Sequence, residues 1–193
     1  MTDLTRIDLP VCDFNSAMEL QLDCVARVHA DPTRAYLILT EHDPPVISTD
    51  SREESIAWRG PGQLAAYPVL LVGDGEQGVA EHVMRLHQAV VNTLATVGIR
   101  AVCRDDRLGV WVGDAKVASV TVAVDRQVCY HGVTINVSND LSAFDTIAAG
   151  GKPDAVTSVA ALLDADVRID TVADSFATCF RELTGLDDSP VIA

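Results

Sequence analysis

Residues 110–137 constrain the fold more than any other part of this 193-residue chain. Valines are dense on both sides of Gly113-Asp114, a dipeptide that tolerates the positive φ angles of a tight hairpin turn. A second turn at 125–127 leads into 128–137, where apolar and polar residues alternate. The pattern predicts consecutive antiparallel strands, with one lysine, Lys116, at the start of the middle strand.

The flanking regions predict helices that would cover this sheet. Ser16 and Glu19 have the spacing of a capping box, and apolar residues then recur at helical spacing to about Ala30. Similar patterns predict further helices at 79–97, 159–163 and 171–185. Continuous apolar runs predict buried strands at 35–40 and 67–72.

The composition excludes several classes of partner and cofactor. A formal net charge of −14 argues against nucleic acid and anionic membrane surfaces as partners. No run reaches the length of a membrane span and no signal pattern is present, so we expect a cytoplasmic protein. No linker divides the sequence, so we expect one domain over 1–193. The five scattered cysteines predict neither a disulfide framework nor a zinc site, and we expect no metal and no cofactor.

Four segments of the chain together resemble the lipoyl(octanoyl) transferase family, which is related in fold to the lipoate and biotin protein ligases. They are GDAKVAS at 113–119, YHGVTINV at 130–137, DLSAF at 140–144 and VTS at 156–158. The resemblance implies an α/β fold in which a mixed β-sheet is packed by helices, as in the lipoate/biotin protein ligase catalytic domain. It also implies a small acyl substrate, which an acyl carrier protein would present.

Lys116 is the predicted catalytic residue. In the resembling family this lysine lies beside the acyl carbonyl, where a cation stabilises the developing oxyanion. Exposed lysines at hairpin ends are common, which is the alternative interpretation. The flanking motif favours the catalytic one, in a chain that has only Lys116 and Lys152 as lysines.

The resemblance also exposes a missing thiol. The family's nucleophilic cysteine follows the Asp-Leu-x-x-Phe motif, and the alignment places Gly150 at the cysteine and Gly151 at the next glycine. Without a thiolate there, transfer through an acyl-cysteine cannot proceed in the same way. Cys129 is the nearest cysteine to the motifs, but its strand position favours a small buried hydrophobic residue.

Other substrate-facing positions of the family are changed too. The family has two glycines after an arginine, and they correspond to Glu53 and Glu54 here. In the acyl-binding pocket these carboxylates would make it more polar, and one of them would hold a substrate amine or act as a general base. Alternatively, both point into solvent. Arg59 would bind a carboxylate or phosphate, or pair with one of these glutamates. The predicted substrate-binding residues are Glu53, Glu54, Trp58, Arg59, Gly60, His131, Gly132, Gly150 and Gly151.

These observations leave hypotheses of two classes. The first is a divergent octanoyltransferase-like enzyme that acts on an acyl thioester or acyl amide without an acyl-cysteine, on a more polar substrate in specialised biosynthesis. The second is a non-catalytic protein that binds an acyl group or a carrier protein. A further hypothesis is that the protein is an ordinary lipoate-pathway octanoyltransferase. An acidic carrier would need a basic patch, for which Arg100, Arg104 and Arg107 are the candidates.

Overall fold

The computed structural model describes residues 2–50, 55–104, 107–144 and 154–188, with the backbone alone at 48–50, 55–57 and 188. The strands within these ranges are β1 (Asp3–Asp8), β2 (Arg34–Thr40), β3 (Val46–Asp50), β4 (Ser55–Arg59), β5 (Gln63–Leu71), β6 (Val102–Cys103), β7 (Val110–Val112), β8 (Ala115–Asp125), β9 (Val128–Asn136) and β10 (Asp187–Asp188). The α-helices are α1 (Phe14–Ala30), α2 (Gly75–Thr96), α3 (Val159–Leu163) and α4 (Ile169–Thr184).

A mixed sheet organises the described residues. Its strand order is β10-β1-β2-β5-β9-β8-β7-β6, with β1 parallel to both β10 and β2 and the remaining neighbours antiparallel. The predicted turn at 113–114 joins β7 to β8, and a turn with positive φ at Arg126 and Gln127 joins β8 to β9. The predicted sheet core and the mixed α/β class are therefore confirmed.

Helices cover both faces of the sheet. The first core cluster lies on the side of α2 and α4, where Leu86, Val90 and Phe176 pack against Leu37 and Ile135. A second cluster lies on the side of α1, where Val25 and Val28 pack against Ile38 and Tyr67. Alternate residues of each strand supply the two cores, because successive side chains of a strand point to opposite faces.

Three helix starts differ from the sequence prediction. The cap of α1 is Asp13, whose side chain accepts a hydrogen bond from the Ser16 backbone N–H at 3.0 Å, so the Ser16 capping box is wrong. The second helix already begins at Gly75. The last helix begins at Ile169 rather than Thr171, and Asp174 in its second turn accepts a hydrogen bond from Arg6 of β1 at 2.6 Å.

A separate two-stranded ribbon, β3 with β4, precedes β5 and was not predicted. It delivers Trp58 and Arg59 to the α1 side of the molecule, where Arg59 lies over the Phe14 ring. The following strand, β5, begins at Gln63, four residues before the predicted Tyr67. The ribbon therefore brings the Gly60 turn to the centre of the main sheet.

Candidate functional site

Lys116 is held at the start of β8 by contacts on three sides. Its ammonium lies 2.8 Å from a carboxylate oxygen of Asp154, and about a quarter of its side chain (24%) is exposed. Its backbone N–H donates to the Ala155 carbonyl at 2.7 Å, and its carbonyl accepts from the Thr157 N–H at 2.9 Å. The segment 155–157 therefore flanks Lys116 and forms a short parallel bridge with it through Val156.

Trp111 lies beneath the lysine. Its indole is fully buried, and the Lys116 ammonium lies 5.2 Å from the ring centroid. The guanidinium groups of Arg104 and Arg107 lie 5.2 Å and 5.5 Å from the same centroid. Cations are attracted to the face of an aromatic ring, and this effect gathers three of them around one side chain. Two members of the predicted basic patch therefore border Lys116.

A buried polar ladder connects the lysine end to the Gly60 turn. The Gly60 N–H donates to the Gln63 side-chain oxygen at 3.1 Å, and the Gln63 amide donates to Asn136 at 2.7 Å. The Asn136 amide donates in turn to the Thr157 carbonyl at 3.0 Å. Each buried group in the ladder has a partner, so it fixes the 155–157 segment relative to the sheet.

A partly open strip of sheet starts beside Lys116. Ser119, Thr121 and Ala123 of β8 lie opposite Thr134, Gly132 and Tyr130 of β9. Thr134 shares a face with Asn136, and Asn136 bonds Gln63, so the strip lies on the α1 side of the sheet. Ser119 is exposed and Thr121 and Ala123 are half-buried. The small side chains of β8 thus leave this strip of the sheet partly exposed beside Lys116.

The far end of this strip carries aromatic rings and a buried cation, which we call the distal cluster: Phe14, His42, Arg59, Tyr67 and His131. Arg59 is 6% exposed, and its guanidinium lies 5.4 Å from the Phe14 ring centroid. His131 stacks on Phe14 with ring centroids 6.4 Å apart, and it meets Tyr67 edge-on at 6.2 Å. Residues from α1, β4, β5 and β9 therefore converge here.

Hydrogen bonds define the protonation of the distal cluster. His42 Nδ1 donates to the Cys12 carbonyl at 3.1 Å, so its Nε2 accepts from the Tyr67 hydroxyl at 2.8 Å. The Gln21 side-chain oxygen accepts from both the backbone N–H and Nδ1 of His131, at 2.9 and 3.1 Å. The His131 Nε2 is left as an acceptor in the neutral ring.

Burial keeps the rings of this cluster neutral. It lowers the pKa of His131 to about 4 and also lowers the pKa of His42, and the nearby charge of Arg59 acts in the same direction on both. Burial raises the pKa of Tyr67 to about 12, a rise that Arg59 partly opposes. The Arg59 guanidinium therefore lies among rings that are neutral at neutral pH.

Two of the predicted substrate-binding glycines have clear packing roles. A Cβ on Gly60 would lie 2.5 Å from the Trp58 ring, which in turn meets Phe144 edge-on at 5.5 Å. A Cβ on Gly132 would lie 2.5 Å from the Ala66 carbonyl oxygen of β5. Both glycines let neighbouring elements approach closely, whether or not they also touch a ligand.

Four of the predicted site residues, Glu53, Glu54, Gly150 and Gly151, lie outside the described residues. The described ones form two groups: Lys116 lies at one end of the strip, and Arg59, His131 and Gly132 lie at the other. Trp58 and Gly60 flank Arg59 on the ribbon turn. The prediction that Cys129 is a small buried residue is confirmed, since it is fully buried and burial raises its pKa to about 11.

Sequence reasoning missed several residues of this arrangement. Trp111 could have been found, because a two-residue turn at 113–114 places it directly opposite Lys116 on the neighbouring strand. Asp154 stands three residues before Thr157 but carried no motif signal of its own. Phe14 lay before the predicted helix and Tyr67 began a predicted strand, and nothing local indicated that they would meet Arg59.

A cavity of about 410 Å³ lies elsewhere, between the end of β2 and the start of α4. Leu9, Leu39, Leu64 and Ile169 are among its lining residues, and none of the predicted site residues lines it. Among the residues with described placement, no group of three His, Cys, Asp or Glu side chains could hold a metal ion. The helices in the same ranges include none with the length and apolarity needed to cross a bilayer.

Comparison with known proteins gives the class of this fold. The solved structure of a bipartite lipoate protein ligase and its E2 lipoyl domain from Thermoplasma acidophilum matches all of the chain and 88% of the compared chain, with a TM-score of 0.72 and 18% identity. At that identity the likeness shows the fold, which is that of the lipoate protein ligases. The predicted fold family is therefore confirmed.

Sequence comparison identifies the family. The lipoyl protein ligase A/B catalytic domain matches residues 55–181. An octanoyltransferase of Chromohalobacter salexigens is 37% identical over 163 residues, which are 81% of this chain and 74% of that protein. An octanoyltransferase of Solibacter usitatus is 32% identical over 203 residues, covering 92% and 91% of the two chains. The chain belongs to the lipoyl protein ligase A/B catalytic domain family.

Proposed function

We propose that the protein is an acyltransferase that moves an acyl group from a thioester or amide donor to a nucleophilic acceptor, with Lys116 as the catalytic residue. The observation that carries the proposal is the fixed, half-buried ammonium of Lys116 at the end of an open strip of sheet. Its relatives named octanoyltransferase supply the reaction class. A more polar acyl group than octanoate and a role in specialised biosynthesis belong to the same proposal.

The proposed chemistry is a direct transfer. The acceptor attacks the carbonyl carbon, the bond from carbon to sulfur or nitrogen breaks, and the leaving group departs with the proton that the acceptor releases. The Lys116 ammonium stabilises the charge that develops on the carbonyl oxygen, and its fixed position means that little reorganisation is needed. Asp154 and Trp111 hold the ammonium in place from two directions.

Direct transfer is supported by the state of the described cysteines. Burial raises the pKa of Cys24 and Cys129 to about 11, and it also raises the pKa of Cys103 and Cys179. A nucleophilic cysteine needs the opposite shift, toward the thiolate. Cys12 lies beside the distal cluster, where its carbonyl accepts a hydrogen bond from His42. The alignment that places Gly150 at the position of the family's cysteine also supports direct transfer.

An acidic carrier protein is the proposed donor. The chain carries a formal net charge of −14, so general attraction to such a partner is excluded and a local patch has to supply it. Arg104 and Arg107 lie around Trp111 next to Lys116, and Arg100 is exposed nearby in sequence. Transfer from a carrier should weaken as salt is raised, because the patch is partly exposed.

The direct test is turnover of octanoyl carrier protein by the wild type and by Lys116→Ala. Loss of one oxyanion-stabilising group lowers kcat by about 100-fold to 1000-fold in comparable sites. Lys116→Arg should recover only part of the rate, since a planar guanidinium cannot occupy the same position. Arg126→Ala, at the exposed turn beyond the other end of β8, is the matched control and should keep the wild-type rate.

A binding protein without catalysis is the second candidate. The close Lys116–Asp154 pair favours it, because a carboxylate at 2.8 Å competes with a carbonyl oxygen for the ammonium. Under this alternative the wild type binds acyl carrier protein without turning it over, and Lys116→Ala changes only the affinity. Rescue of a lipoate auxotroph that lacks its own transferase would instead favour the ordinary pathway enzyme.

A further inference from the structure

The cavity of about 410 Å³ between the end of β2 and the start of α4 has the lining of a small-molecule site. Such sites are typically clefts of about 300–1,000 Å³, with a mainly apolar surface and a few polar groups that orient the ligand. The apolar part of this lining comes from six residues: Leu9, Val11, Leu39, Leu64, Ile169 and Ala173. Val11 is 53% exposed, so a ligand can enter from solvent on that side.

The basic side chain of the cavity is already bound to carboxylates. Arg6 Nε donates to Asp8 at 2.9 Å, and a terminal nitrogen of the same guanidinium donates to Asp174 at 2.6 Å. Two carboxylates therefore share one guanidinium before any ligand arrives. An anionic ligand would have to displace one of them and would be repelled by the other, so the cavity disfavours anions.

Glu41 is the acidic residue of the lining that can still bind a cation. One of its oxygens accepts from the Gly62 N–H at 3.0 Å, and it makes no ion pair with another described residue. Asp170, by contrast, is paired with Arg168. An ionised carboxylate has about four acceptor positions on its two oxygens. Glu41 can therefore accept from a ligand and keep its bond to Gly62.

The charges around the cavity favour a cationic ligand. The two guanidinium groups offset only half of the carboxylates that surround them, which are Asp8, Glu41, Asp170 and Asp174. A primary ammonium group would restore part of this balance, and it brings three hydrogen-bond donors to a site rich in acceptors. An apolar body attached to the ammonium would cover the aliphatic side chains of the lining.

We propose that this cavity is a second binding site, for a small primary amine with an apolar body, and that Glu41 binds the ammonium group. Leu39, Leu64 and Ala173 belong to the core on the α4 side of the sheet, and Lys116 does not line the cavity. The site is therefore separate from the proposed acyl-transfer site. Its ligand is a cation, and the proposal does not depend on acyl transfer.

Two probes of one chain length, hexylamine and hexanol, test the preference for a cation. Titration calorimetry of the wild type should show hexylamine binding about tenfold tighter, because a hydrogen bond between two ionised groups is stronger than one to a neutral hydroxyl. Equal affinities, tighter binding of hexanol, or no binding of hexylamine at millimolar concentration would overturn the proposal.

Glu41→Gln assigns the preference to the carboxylate. Its amide oxygen can still accept from the Gly62 N–H, but the ammonium loses its charged partner, so the preference for hexylamine should fall to less than about threefold. Asp23→Asn is the matched control, since it removes one carboxylate from an exposed pair on α1, on the other side of the sheet. It should keep the wild-type preference. A preference that is unchanged in Glu41→Gln would refute the role of Glu41.

Ala173→Leu tests the cavity itself and serves if Glu41→Gln does not fold. The larger side chain occupies part of the cavity, so both probes should bind more weakly than they bind the wild type. Hexylamine binding that is unchanged in this variant would show that the amine binds elsewhere.

Backbone amide NMR shifts locate the bound amine. Hexylamine should shift the amides of 39–41, 64 and 169–173, and Lys116→Ala should bind it with wild-type affinity. Shifts confined to the strip beside Lys116, or loss of binding in Lys116→Ala, would overturn the proposal of a second site. Failure of acyl turnover would leave that proposal standing, because no step of the binding test needs it.

Discussion

His82 provides a stability prediction whose size follows from its surroundings. It lies on α2, is 1% exposed, and meets Phe180 of α4 edge-on with ring centroids 6.4 Å apart. Within the described parts of the chain, neither ring nitrogen has a hydrogen-bond partner. Burial lowers the pKa of His82 to about 4, and the charge of Arg85 contributes in the same direction.

The sign and magnitude follow from proton linkage. Below a pH of about 6.5 the unfolded chain protonates this histidine while the folded chain keeps it neutral, so acid favours unfolding. The stability linked to the neutral form of His82 is fully present above pH 6.5 and is lost as the pH falls toward 4. With these two pKa values, His82 alone lowers the free energy of unfolding by about 2 kcal/mol between pH 7.5 and pH 5.

We therefore expect His82→Leu to be more stable than the wild type, and increasingly so in acid. At pH 7.5 the gain is about 1 kcal/mol, because two buried nitrogens without partners are removed. At pH 5 the gain is about 3 kcal/mol, since the variant escapes the linkage penalty. Urea unfolding followed by tryptophan fluorescence at both pH values measures the difference.

His29→Leu is the control for this experiment. His29 is partly exposed and pairs with Asp125, and surface pairs of this kind contribute less than about 1 kcal/mol. Its replacement should therefore change the free energy of unfolding by less than about 1 kcal/mol at either pH. A difference between His82→Leu and the wild type that is the same at pH 7.5 and pH 5 would refute the reasoning.

Further variants test the scaffold of the site. Gly132→Ala should lower the free energy of unfolding by about 1–3 kcal/mol, because its Cβ would lie 2.5 Å from the Ala66 oxygen; an unchanged urea midpoint would contradict this. Gln63→Leu should cost about 2 kcal/mol, since the Gly60 N–H and the Asn136 oxygen lose their buried partner. Asp154→Asn should change the free energy of unfolding by less than about 1 kcal/mol, because the Lys116–Asp154 pair is partly exposed. The same variant should lower kcat, because the Lys116 ammonium is held less firmly in place. Asp154→Glu should restore part of that rate.

The sequence predicted the sheet centre well because its signals there are local. The turn at 113–114 and the valine-rich strands on either side specify the β7–β8 hairpin without help from the rest of the chain. Gly185 ends the last helix in the left-handed conformation, as its position after the apolar stripe indicated. Motif order then supplied the fold family.

The distal cluster could not be predicted because it depends on residues that are remote in sequence. Arg59 is buried only because the ribbon places it against Phe14, the first residue of α1, and beside Tyr67 and His131. The start of α4 was misplaced for a similar reason, since Asp174 binds Arg6 of β1. Hydrophobic periodicity contains no information about such polar contacts between distant segments.

The proposed acyl transfer at Lys116 passes through no acyl-cysteine. Intact mass spectrometry of the wild-type chain during steady turnover of octanoyl carrier protein tests it most directly. Acylated acceptor should accumulate while the enzyme keeps its unmodified mass. An octanoyl adduct on any of the five cysteines, formed and consumed at the rate of turnover, would contradict it.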